Sequence, residues 1–325
     1  MNVLITGGAG FIGSHLSDLI LSQGHVVYVI DDLSTGSMSN IAHLENHPRF
    51  HYSISSVLEK DKTAEFVSKC DQIYHLAASV GVKLVVQEPL ESFRNNTETT
   101  ELILNLASKH NAKVLITSSS EVYGKNDNLP FKEEDDRIFG SAMDVRWGYA
   151  LSKAIDEFSA LGFHNEFGLP VIVVRLFNTV GPRQKGHYGM VIPRFVEQAL
   201  RNQDLVVHGT GTQRRCFTDV SDVVLGLASL MQSDDAVGKI FNIGSTNEIS
   251  IVELAEKIIG KLNSSSSISF ADYRDVYGVD FEDMQRRIPN LDRINEIIGY
   301  VAAVDLDQCI DNVAAFYMKN GNNGQ

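Results

Sequence analysis

Tyr149 and Lys153 are the two side chains whose types and spacing most directly allow proton chemistry. Four positions apart on a helix, they share a face, so a phenol and an ammonium address one site. A Tyr-x-x-x-Lys pair also arises by chance, and a buried tyrosine beside a surface lysine accounts for it equally well. Its meaning depends on what surrounds it. Upstream, Ser118-Ser119-Ser120-Glu121-Val122-Tyr123-Gly124 follows the apolar run Val114-Leu115-Ile116 at its C-terminal end. That is where open α/β sheets gather their ligands.

A second constellation lies at the N-terminus. Gly7-Gly8-Ala9-Gly10-Phe11-Ile12-Gly13 comes directly after Val3-Leu4-Ile5 and opens a helical stretch. Gly7, Gly10 and Gly13 permit a tight turn, close approach of backbone to a pyrophosphate, and close helix–strand packing. The phosphates would meet the amide-rich, positive helix end. The spacing is GxxGxxG rather than GxGxxG, so the loop gains its force from its place between strand and helix. The next strand ends at Asp31-Asp32, where a carboxylate accepts bonds from adenosine ribose hydroxyls and repels a 2′-phosphate. No arginine follows before Arg49. The expected cofactor is NAD rather than NADP.

These residues need a scaffold, and the pattern supplies one. Val3-Leu4-Ile5, Val26 to Ile30, Gln72 to Leu76, Val114-Leu115-Ile116 and Val171 to Val174 are near-continuous apolar runs. Continuity rather than alternation fits parallel strands covered on both faces. Helical stretches lie between them, among them Pro89 to His110 and one ending near Gly168. The expected class is α/β: a Rossmann-type doubly wound parallel sheet with a smaller interleaved C-terminal lobe. The dinucleotide-binding domain is read as 1–178 with return segments around 205–243, and the substrate lobe as 179–325. After Asn178 turn residues multiply, around Gly181-Pro182, Gly186 to Gly189 and Gly209 to Gly211. Ser264 to Ser267 reads as a polar loop and Asn320 to Gln325 as a frayed tail.

Bulk composition narrows the partners. The chain has 325 residues, 43% hydrophobic and 21% charged, which suits a globular protein with a full core. A net charge of −13 offers no positive field to nucleic acid or an anionic membrane, so neither is expected as a partner. No apolar run approaches the ~20 residues that span a bilayer. Met1 to Ile5 lacks a basic leader region. Cys70, Cys216 and Cys309 are few and widely spaced, as in a reducing cytoplasm, and no metal site is expected.

Taken together, the motifs resemble the extended short-chain dehydrogenase/reductase family of nucleotide-sugar epimerases, dehydratases and decarboxylases. The resemblance runs from Met1 to about Tyr317. It rests on Thr6 to Gly13, His75-Leu76-Ala77-Ala78, Ser119 to Gly124, Tyr149/Lys153, Arg175 to Arg183 and Asn242-Ile243-Gly244. It implies that Tyr149 is the base, taking a proton from a sugar hydroxyl while a hydride passes to NAD. A free phenol titrates near 10, too high for that task. Lys153 and the positive nicotinamide are expected to bring the value down. Ser119 is expected to hydrogen-bond the same oxygen. Leu76, Ala77 and Ala78 are expected at the cofactor, and Ser56 stands where many relatives carry an aspartate near adenine. Asp32 replaces a frequent asparagine.

Within the family, the triplet before Val-Tyr-Gly separates reactions. Dehydratases carry Thr-Asp-Glu, with an acid and a base; here it is Ser119-Ser120-Glu121. The Ser-Glu-Val-Tyr-Gly form is similar to that of UDP-glucuronate decarboxylases. Gln213 to Asp219, Arg146 to Tyr149 and Tyr277 to Pro289 also resemble a bacterial decarboxylase domain of the family. The implied reaction is oxidation at C4, loss of carbon dioxide and re-reduction to a UDP-pentose. Arg215 is expected to orient the departing carboxylate, with Ser120 and Glu121 positioning ring and water. An ion pair of Arg215 with Asp219 or Asp222 is the structural alternative. Asn178, Arg183, Arg287 and Val191 match positions that hold the UDP-sugar's phosphates or nucleotide, while Arg286 suits the surface equally well. Two rivals remain open: a UDP-sugar 4-epimerase, and a non-catalytic NAD-binding sensor. Relatives commonly form homodimers, here through helices around Glu91–His110 and Ala150–Phe167.

Overall fold

The computed structural model describes residues 1–79, 88–186, 190–272 and 284–321. Part of the Tyr277–Pro289 stretch (277–283), part of the turn-rich segment (187–189) and the last four residues lie outside them.

The first half alternates strand and helix: β1 (Asn2–Thr6), α1 (Phe11–Ser22), β2 (Val26–Asp31), β3 (Phe50–Ile54), α2 (Lys60–Val67), β4 (Gln72–His75), α3 (Pro89–His110), β5 (Lys113–Ser119), α4 (Trp147–Phe167) and β6 (Val171–Leu176). The second half continues with β7 (Thr179–Val180), α5 (Val191–Leu200), β8 (Leu205–His208), β9 (Arg214–Cys216), β10 (Thr218–Asp219), α6 (Val220–Gln232) and β11 (Lys239–Ile243). It closes with β12 (Glu248–Ser250), α7 (Ile251–Lys261), β13 (Ile268–Ala271), α8 (Asp292–Ile298) and α9 (Leu306–Gly321).

Seven strands form one parallel sheet in the order β11-β6-β5-β4-β1-β2-β3. The apolar runs are explained by two-sided burial. Val3 and Ile5 pack with α1 and α6 on one face, through Leu16, Ile20, Val223 and Leu227. Leu4 points to the other face, where Ile73, Val114 and Ile116 meet Ile103, Leu104 and Ala160 of α3 and α4. Each fully buried aliphatic side chain contributes about 1.5–3 kcal/mol, so the sheet is the rigid platform for everything above it. The edge strand β3 escapes a reading based on continuous apolar runs, because only Phe50 of its five residues is buried.

A third cluster builds the smaller lobe, with Phe195 and Val196 of α5, Leu205 and Val207 of β8, Leu254 and Ile258 of α7, and Ile310 of α9. Within the stretch 205–243, Leu205 and Val207 thus stay with that lobe. The chain rejoins the large sheet through α6 and β11. Helix α4 ends at Gly168, whose left-handed backbone (φ +68°) a side chain would disfavour. Among the described residues no helix is long and apolar enough to cross a membrane. None of their His, Cys, Asp and Glu side chains form a group fit to hold a metal. All three cysteines are free and buried.

Candidate active site

Strand order reverses between β1 and β4, and the loops leaving their C-terminal ends face each other across the opening. Gly7 has φ +71°, and a Cβ there would lie 2.9 Å from the Ala77 nitrogen. A Cβ on Gly13 would lie 2.2 Å from the Gly7 carbonyl oxygen. Only glycine lets the loop fold this tightly against the start of α1. That helix has no side-chain cap and no acidic residue in its first turn, which suits an anionic group at its N-terminus. Thr6 ties the two loops together: its hydroxyl accepts from the Ala77 amide at 3.2 Å and lies 2.7 Å from His75 Nδ1.

Asp31 holds the loop from the second strand. Its carboxylate accepts from the Ala9 amide at 2.9 Å and the Leu33 amide at 2.8 Å. Burial nonetheless pushes its pKa above the ordinary carboxylate value, with the backbone donors opposing. Asp32 accepts from the Ser34 amide at 2.9 Å, and Ser56 accepts from the Leu58 amide at 3.2 Å. One cavity is walled by Gly7, Gly10, Phe11, Ile12 and Gly13, by Asp31, Asp32 and Ser56, and by Leu76, Ala77 and Ala78. Both acidic residues at the end of β2 therefore face a space suited to a dinucleotide without a 2′-phosphate.

The same cavity continues to Ser119, Ser120, Glu121, Tyr149 and Lys153. Strand β5 delivers the triplet, and the Ser119 hydroxyl accepts from the Glu121 amide at 3.2 Å, fixing the short turn that follows. Helix α4 delivers the phenol and the ammonium. Two arginines grip Glu121: Arg287 Nη1 donates to Oε1 at 2.6 Å and Arg146 Nη2 to Oε2 at 3.2 Å. All three line the cavity. Charge-assisted bonds of this length are the stronger kind.

The groups around Tyr149 act on it in both directions. Burial pushes its pKa above the usual phenol value, the Glu121 carboxylate and Asp156 add to the rise, and a hydrogen bond with Ser119 opposes it. The Lys153 ammonium donates to Asp156 at 3.1 Å. The resemblance implies that Lys153 and the nicotinamide together depress the phenol. In the structure the lysine's charge is shared with a carboxylate three residues on.

Asn178, Val191, Arg215 and Arg287 also line the cavity. Asn178 donates to the Cys216 carbonyl at 2.9 Å. Arg215 Nη1 donates to the Arg214 carbonyl at 2.8 Å. Asp219 and Asp222, the partners its structural alternative named, make other contacts. Asp219 accepts from the Ser221 amide at 2.9 Å and Asp222 from the Val304 amide at 2.9 Å. Arg183 is not part of the wall. Its backbone is left-handed (φ +70°) and its guanidinium pairs with Asp18 of α1 at 2.8 Å. Arg286 pairs with Glu248 at 2.6 Å on the surface.

Sequence reasoning did not single out Arg146, Arg194 and His208 as site residues, yet all three line the cavity. Arg146 precedes α4 by one residue, and Arg194 follows Val191-Ile192-Pro193 directly; that adjacency was the available signal. Burial, with Arg194 nearby, pushes the His208 pKa down to about 4.

Comparison with known proteins bears on this site. The family model described as GDP-mannose 4,6 dehydratase matches residues 4–313. A UDP-N-acetyl-alpha-D-glucosaminuronate decarboxylase of Bacillus cytotoxicus is 41% identical over 94% of this chain and 94% of its own. UDP-glucuronic acid decarboxylase 5 of Arabidopsis thaliana is 36% identical over 94% of this chain and 86% of its own. A UDP-glucuronic acid 4-epimerase from Bacillus cereus, solved in complex with UDP-glucuronic acid and NAD, superimposes with TM-score 0.88. It is 26% identical, covering 98% of this chain and 100% of that one.

Proposed function

The chain belongs to the GDP-mannose 4,6 dehydratase family, the extended short-chain dehydrogenases/reductases of nucleotide-sugar metabolism, and from that premise we propose that it decarboxylates a UDP-hexuronate, UDP-glucuronate first among them. The observation that carries this reading is the Glu121 carboxylate held between Arg287 and Arg146 at the Tyr149 end of the cavity. A sugar carboxylate arriving there meets two guanidinium groups that already bind a carboxylate. Ser120, in place of an aspartate, leaves no acid to expel a C6 hydroxyl.

The glycine loop, Asp31 and Asp32, and Leu76 to Ala78 are the residues to hold NAD, and their close backbone approach fits it. Bound NAD supplies the acceptor for the C4 hydride and returns that hydride at the end of the cycle. Tyr149 takes the proton of the C4 hydroxyl, with Ser119 holding the same oxygen. The resulting ketone is β to the carboxylate, so the bond to the carboxyl carbon breaks with its electron pair passing into an enolate. Arg287 and Arg146 hold the carboxylate as it leaves. Arg215, from the smaller lobe, is placed to bind the substrate from the opposite element. A proton from water taken up at C5, the hydride returned to C4 and the proton returned by Tyr149 to the C4 oxygen complete the UDP-pentose. In this reading Arg287 and Arg146, both seen at Glu121, share the carboxylate role with Arg215.

Incubation with UDP-glucuronate, and separately with its 2-acetamido counterpart, tests the reading. Carbon dioxide and a UDP-pentose are expected from at least one. Retention of all six sugar carbons would instead establish 4-epimerisation, the activity named for the Bacillus cereus neighbour. The sensor alternative is disfavoured by Ser119, Tyr149 and Lys153 sharing one wall.

A homodimer through α3 and α4 is part of the proposal. Leu151, Ile155 and Phe158 form an outward apolar stripe on α4, with Phe158 79% exposed. The three free, buried cysteines support a reducing cytoplasm as its location.

A further inference from the structure

Lys153 lines the cavity, but the group it binds lies behind the wall. Its ammonium donates to Asp156 Oδ2 at 3.1 Å, and both side chains are almost fully buried. The other carboxylate oxygen, Oδ1, is buried with no hydrogen-bond partner. A carboxylate left half-satisfied away from water is costly. Among the described residues the cation that meets it is the lysine of the proposed catalytic pair.

We propose that Asp156 is a positioning residue for the Tyr149/Lys153 pair: it holds the Lys153 ammonium on the helix face that carries the phenol. This rests on the reading of Tyr149 as the base. The helix sets the geometry, since Tyr149, Lys153 and Asp156 follow at intervals of four and three and so share a face.

The surrounding charges leave this role to Asp156. Glu157, next on the helix, is neutralised by Arg175 of β6 at 2.8 Å and by Arg137. His75 of β4 stands 3.2 Å from the Thr100 hydroxyl of α3, and burial, aided by Lys153, keeps its ring neutral. Glu121, which also raises the phenol, is tied to Arg146 and Arg287. Asp156 itself is pushed above the ordinary carboxylate value by burial, with Lys153 and Thr100 opposing. Among the described residues Asp156 is the carboxylate that pairs with Lys153, while Glu121 is the other carboxylate that raises the phenol.

The test is Asp156→Asn in the NAD-loaded protein, read in two ways. The acid limb of the kcat–pH profile should move down by about one pH unit, because the phenol ionises more easily without the nearby carboxylate. The ultraviolet titration of the Tyr149 phenolate, isolated by subtracting the Tyr149→Phe protein, should move down with it. Asp156→Glu, which keeps the charge, should leave both near the wild-type position. If Asp156→Asn does not fold, Asp156→Ser carries the same expectation. An unmoved acid limb and an unmoved phenolate titration, with NAD still bound, overturn the proposal. The phenolate titration needs no sugar substrate, so it reports on Asp156 even if UDP-hexuronates are not turned over.

Discussion

Arg287 and Glu121, 166 positions apart in sequence, meet at 2.6 Å on the wall of the cavity that holds Tyr149. The contact joins the segment before α8 to the end of β5.

Removing the Arg287 cation is expected to slow the chemical step. Arg287→Ala should lower kcat by roughly 10²-fold, in the range found when one preorganised donor to a developing charge is lost. Arg287→Lys should recover only part of it, since an ammonium lacks the planar fork. Steady-state kinetics with UDP-glucuronate, alongside an NAD titration that stays unchanged, checks the assignment. Unaltered kcat in both variants would remove Arg287 from the mechanism.

Tyr149→Phe keeps the ring and deletes the base. Turnover should fall by at least roughly 10²-fold while NAD binding persists. Activity within a few-fold of wild type would refute the role of the phenol.

Gly13→Ala probes the cofactor loop through shape alone. Its methyl would stand 2.2 Å from the Gly7 carbonyl oxygen, so the turn must open. Overpacking of this kind typically costs about 1–3 kcal/mol, and here it also disturbs the proposed phosphate cradle. Weaker NAD binding together with a lowered urea midpoint is expected. Normal binding would show that the loop does not hold the dinucleotide.

His75 makes stability depend on pH. Burial, with Lys153 nearby, pushes its pKa down to about 3 from an ordinary 6.5. The unfolded chain therefore binds a proton that the folded chain refuses. The contribution is fully present above pH 6.5 and is lost as pH falls toward 3, at about 1.4 kcal/mol per pH unit. His75→Asn should flatten that acid slope by one proton's worth, with His208 keeping its own share. Urea midpoints measured across the window decide it; an unchanged slope would mean the ring is protonated in the folded protein.

What could be read from the sequence was local. The glycine loop, the acidic end of β2 and the Tyr149/Lys153 spacing are each set within a few residues, and each folds beside the cavity as its pattern implies. The parallel strands were legible because burial on both faces leaves an unbroken apolar run. What depends on distant chain was not legible. The approach of Arg287 to Glu121 is fixed only by the tertiary fold. Arg183 is diverted to Asp18 by a left-handed backbone that its flanking residues do not announce. Lys153 turns to Asp156 because the two are buried together, although their spacing alone would equally fit a solvated pair.

Helix α4 presents its chemistry inward and its apolar stripe outward, and the two patterns share a single 21-residue segment. Inserting one residue after Tyr149 would rotate everything downstream by about 100°. Lys153 would leave the phenol's face, Glu157 would part from Arg175, and the Leu151–Ile155–Phe158 ridge would swing off its axis. The proposed pairing face and the proposed catalytic pair thus share one reading frame of one helix, where sequence drift can exchange side chains but cannot change their count.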